Sequence, residues 1–92
     1  KQIEKVRAKV DKYYEKNIID ACPMVNYEFI HDNEDHIKDI ATSIYCTKHN
    51  IGYPGGNFVQ AVVNNNLFDA FGYADNVNYA VLRFYVMMLH NM

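Results

Sequence analysis

Charge is nearly absent from the second half of this 92-residue chain: residues 41–92 carry only Lys48, Asp69, Asp75 and Arg83. A soluble domain usually devotes about a quarter of its positions to charge. The shortage predicts that part of the surface is buried against a second copy of the chain or a stable partner. Cysteine is also scarce. Cys22 and Cys46 are too few for a disulfide framework, which fits a reducing cytoplasm. No signal peptide is visible, and the chain opens with Lys1. An initiator or short leader is therefore expected to have been removed or to lie outside it. No apolar run approaches the roughly 18 residues of a membrane span, so no membrane partner is expected. There is no basic excess either. The net charge of −2 argues against a dedicated duplex-DNA or RNA binder, so a nucleic-acid partner is not expected. A helical nucleic-acid binder using residues 1–16 is disfavoured on the same ground.

Catalytic signals are missing in the same way. The single serine, Ser43, has no nucleophile-elbow context. Cys46 and His49 lie three residues apart on one helical stretch, but no oxyanion donor accompanies them. No Cys-x-x-Cys pair is present, so Cys22, Cys46 and His49 do not make a zinc signature. The run His31-Asp32-Asn33-Glu34-Asp35-His36 lacks the turn glycine and distal glutamate of a calcium loop. It reads as a solvated acidic cap. No enzyme activity, metal or cofactor is expected.

The charge that exists is segregated. Residues 1–16 carry net +3 and residues 17–40 net −5. The first segment places Ile3, Val6, Val10 and Tyr13 in one narrow stripe, which predicts a helix to about Asn17 with a basic, solvated outer face. Pro23 stops it. Met24 to Ile30 alternates loosely through Val25, Tyr27 and Phe29, as a short strand or extended arm would at 24–30. A second helix follows, with Asp32 or Asn33 as its N-cap, Ile37, Ile40, Ala41, Ile44 and Tyr45 on one face, and Gly52 as its stop. Phe58 to Asn65 predicts a short helix frayed by Asn64-Asn65-Asn66, and Leu67 to Phe71 a further turn closed by Gly72. The last helix is expected to run from Asp75 to about His90, apolar nearly all round through Val77, Val81, Phe84, Tyr85 and Met88. The expected fold is one all-α domain over 1–92, with about four helices and oligomeric through that last helix.

The strongest local motif is Tyr53-Pro54-Gly55-Gly56-Asn57-Phe58. Glycines before a helix uncover backbone amides that favour an anion such as phosphate. Gly55 and Gly56 permit close approach, Asn57 is a candidate cap or ligand donor, and Tyr53 or Phe58 a candidate stacking ring. Asn65 and Asn78 are candidates to read polar edges, with Arg83 or His49 to add charge. An ordinary helix start capped by Asn57 accounts for the same residues.

Residues 54–78, with Gly55, Gly56 and Phe58 at one helix start and Ala74, Asp75 and Asn78 at another, resemble a group of small tailed-bacteriophage proteins. Frequent Asn, Lys, Ile and Tyr fit an AT-rich genome of that kind. Asn66 stands where that group usually has Asp. The resemblance implies a host-cytoplasmic counter-defence role: a homo-oligomer sequestering a nucleotide second messenger of bacterial immunity. The alternative is a small interaction module that inhibits a host protein.

Overall fold

Val6, Val10, Tyr14, Ile18 and Ala21 are buried along one face of the first helix, α1 (Gln2–Ala21). Their spacing of four, four, four and three keeps them on one side of an α-helix. The helix outlasts the expected end near Asn17. Ile18 and Ala21 extend the apolar stripe, so Tyr14 rather than Tyr13 sits at its centre, and Ile3 is left 45% exposed. Pro23 lies just beyond the stop. The computed structural model describes residues 2–92.

Residues 24–30 do not form a strand or an extended arm. They include the start of α2 (Tyr27–Asp32), and no strand occurs among the described residues. Asn26 decides this: its side-chain oxygen accepts from the amides of Glu28 (2.8 Å) and Phe29 (3.2 Å), the N-cap geometry that starts a helix. Only Ile30 points fully inward. A short apolar run carries too few positions to separate period two from period 3.6.

The helix α3 (Glu34–Lys48) buries Ile37, Ala41, Thr42, Ile44 and Cys46. Asn33 precedes it as expected, but its side chain donates back to the Phe29 carbonyl at 2.8 Å instead of capping α3. At the far end the Ile51 amide reaches the Cys46 carbonyl at 2.8 Å. Asn50 (φ 58°) and Gly52 (φ 70°) both take the left-handed conformation there, the usual way of turning a chain out of a helix. Lys38 pins α3 to α1: its ammonium lies 2.7 Å from Glu34, 3.4 Å from Asp11 and 5.0 Å from the centre of the Tyr14 ring.

Next come α4 (Asn57–Val63) and α5 (Leu67–Tyr73), packed on each other. The asparagine triplet between them is a built corner, not a frayed end. Asn65 takes φ 58°, and the Asn66 amide returns to the Ala61 carbonyl at 2.8 Å, closing α4. The Asn66 side chain then accepts from the Asp69 amide and donates to the Asp69 carboxylate, capping α5. An aspartate at this position would accept the same amide.

The final segment is two helices, α6 (Asn76–Ala80) and α7 (Leu82–Asn91), not one. The break is at Val81 (φ −113°), which is fully buried. No glycine or proline marks it. Tertiary packing overrides local propensity here: the break seats Val81, Phe84, Tyr85 and Met88 in the core, each fully buried. α3 is the hub, packing on α1, α4 and α7.

Candidate functional site: an apolar face beside a polar turn

The nine residues singled out in the sequence do not converge on one site. His49 lies against Tyr45, lining a hollow other than the one beside the glycine turn. Phe58 is buried, with its ring edge-on to Tyr85 at 5.9 Å, so it has no free face for a base. Asn78 is also buried, and its side-chain oxygen accepts from the Tyr85 hydroxyl at 2.7 Å. Both are core residues meeting at Tyr85. The N-cap of α4 is Gly56 rather than Asn57, which is the first helical residue. Asn65 is the exposed left-handed residue of the α4–α5 corner. Arg83 lies far along the chain from the turn and donates to the Ala21 carbonyl at 3.1 Å.

The turn itself is tied inward. The Gly55 amide donates to the Thr47 hydroxyl at 2.9 Å, and its carbonyl accepts from the Gln60 side chain at 2.7 Å. A β-carbon on Gly55 would stand 2.5 Å from the Ser43 hydroxyl oxygen and 2.8 Å from the Val59 β-carbon. Glycine is thus required by close packing on α3 and α4. Tyr53, by contrast, is 97% exposed. Beside the turn lies a polar hollow of about 400 Å³, lined by Thr47, Lys48, Asn50, Gln60 and Asn64 among others.

The larger feature was missed by sequence reasoning. α5 buries only Ala70. Its Leu67 and Phe71 turn outward and meet Tyr79 of α6, Val86 of α7 and Met24 in a shallow apolar hollow. Phe71 and Tyr79 stack edge-to-face at 5.8 Å. Met24 is 95% exposed, and Leu67 and Tyr79 are each 63% exposed. Among the described residues the only charge lining this hollow is Arg83, whose guanidinium is held on Ala21. The signal was present in Leu-Phe-Asp-Ala-Phe-Gly-Tyr. Four large apolar side chains surround a seven-residue helix that has one small residue to bury.

The remaining chemistry is quiet. Burial pushes the Cys22 and Cys46 thiols up, away from the thiolate that attacks or binds metal. Among the described residues no three His, Cys, Asp or Glu side chains are grouped to hold a metal ion. No described helix is long and apolar enough to cross a membrane. In comparisons with known proteins, no family model, no curated protein and no solved structure matches the chain.

Proposed function

We propose that this chain is a non-enzymatic interaction module that pairs with a second copy of itself through the face formed by α5, α6, α7 and Met24. The observation that carries the reading is the exposed cluster of Met24, Leu67, Phe71, Tyr79 and Val86. These side chains, between 42% and 95% exposed, form one contiguous apolar face of the kind that marks an interaction surface. Charge selects the occupant. A two-fold interface sets each side chain near the axis against its own copy, so a self-complementary patch must be nearly free of charge. This one is. Hydrogen exchange at low and high protein concentration tests the reading. The amides of α5 and α6 exchange more slowly at high concentration if the face is covered by a second copy. Exchange independent of concentration counts against it.

A second reading, capture of a nucleotide-derived signal in a counter-defence role, is favoured by the polar hollow beside the glycine turn. Lys48 supplies a cation there, and Asn50, Gln60 and Asn64 supply amides. These residues, rather than Phe58 or Asn78, are the ones within reach of such a ligand. A thermal-shift panel of cyclic dinucleotides and ADP-ribose derivatives tests it; no stabilisation by any of them removes the reading.

A further inference from the structure

The solvent face of α1 carries Lys5, Lys9, Lys12 and Lys16 at spacings of four, three and four. At 100° per residue these four fall within a sector of about 60° and extend about 16 Å along the helix. The acids Glu4, Asp11 and Glu15 lie on the edge away from them, and Asp20 marks the end of the stripe. None of the four lysines is in an ion pair among the described residues, where the lysine and arginine pairs are Arg7–Asp39, Lys38–Asp11 and Lys38–Glu34. From sequence this is an ordinary wet face. The fold adds rings to it. Tyr13 of α1 and Tyr45 of α3 line one groove with Lys9, Lys12 and Lys16. Tyr45 and His49 line the adjoining hollow with Lys5 and Lys9. The two hollows share Lys9 and Tyr45, so they run together. The Lys9 ammonium sits 5.9 Å from the Tyr45 ring centre, and the exposed His49 ring lies against Tyr45 at 4.3 Å.

We propose that this groove binds single-stranded nucleic acid, independently of the apolar face. Backbone phosphates follow the lysine stripe, and a base packs on the exposed His49 ring, which is tilted 40° to Tyr45. A positive track flanked by aromatic rings is the general plan of sequence-tolerant single-strand sites. A duplex hides the base faces that such rings need. A bilayer needs apolar wedges between the cations. The two exposed large apolar side chains of α1, Ile3 and Ile19, lie beyond the two ends of the stripe. The acidic segment 17–40 and the net charge of −2 keep the site local and its affinity strongly salt-dependent.

Fluorescence anisotropy with labelled oligothymidine and oligouridine of about twelve nucleotides tests this. Saturable binding is expected to weaken with salt at a log–log slope of about −3, the release expected for four phosphate contacts on a single strand. The double variant Lys12→Glu/Lys16→Glu, checked for helicity by circular dichroism, is expected to bind at least about tenfold more weakly. His49→Ala is expected to cost about fivefold or more toward oligonucleotide and nothing toward inorganic polyphosphate. The proposal is overturned by absence of oligonucleotide binding at low salt. It is equally overturned if polyphosphate binds as well as oligonucleotide with no effect of His49→Ala, or if phosphatidylserine vesicles take up the protein and oligonucleotides do not.

Discussion

Tyr85 joins a buried hydrogen bond to the aromatic core. It is fully buried, donates to Asn78, and packs against Phe58 and Phe84. Replacing it with Phe removes the donor and leaves the Asn78 oxygen unpaired in the core, at a cost of about 1–3 kcal/mol. Each kcal/mol lowers Tm by roughly 4–8 °C in a domain of this size. Burial also pushes the Tyr85 hydroxyl up, and Tyr14 up to about 12. Above pH ~10 the unfolded chain sheds these protons while the folded chain keeps them, so stability falls as pH rises. The contribution is complete below about pH 10 and is lost as pH climbs toward the folded values. Urea titrations at pH 8 and pH 11 are expected to show this loss in the parent chain and a smaller loss in Tyr85→Phe. Thr42 behaves oppositely. Its buried hydroxyl has no hydrogen-bond partner among the described residues, so Thr42→Val is expected to raise stability by roughly 1 kcal/mol, relieving an uncompensated desolvation. A lowered urea midpoint would contradict that.

At the scale of elements, the glycine turn gives a paired prediction. Gly55→Ala drives a β-carbon into Ser43 and Val59, whereas the same change at Gly56 meets nothing within 4 Å. Overpacking at Gly55 is expected to cost about 1–3 kcal/mol in a melting experiment, and Gly56→Ala only the roughly 0.5–1 kcal/mol of a poorer N-cap. The two neighbouring glycines thus do different things, which the sequence alone does not distinguish. Other elements were legible to different degrees. α3 was readable because its apolar stripe runs for fifteen residues with acids at one end and a left-handed stop at the other. α2 was not, because one Asn26 side chain outweighs a loose alternation. The α6–α7 break was not, because Val81 is held by tertiary contacts and no local breaker announces it. Candidate site residues fared similarly. Gly55 was singled out for its small size, and it is needed, but for packing. Phe58 and Asn78 were singled out as surface ligands, and the Tyr85 cluster takes both into the core.

For the whole molecule, the shortage of charge in residues 41–92 now has a location. It was expected to mark the final helix, yet Phe84, Tyr85 and Met88 of that helix are inside the protein. The uncovered apolar surface lies instead across α5, α6 and one edge of α7, joined by Met24. Val86, 42% exposed, is the residue through which α7 reaches it. Val86→Asp places a charge in that face without touching the core. On the pairing proposed above, it is expected to weaken self-association by at least about tenfold, with unchanged helicity by circular dichroism. Tenfold is a lower bound, because burying an uncompensated charge costs more than the roughly 1.4 kcal/mol that tenfold represents. The most direct measurement is light scattering of the parent chain across a rising concentration series. Pairing through the apolar face predicts a mass that climbs from the monomer's 10.7 kDa to a plateau at twice that value. A mass that stays at the monomer value at the highest concentration reached would contradict it.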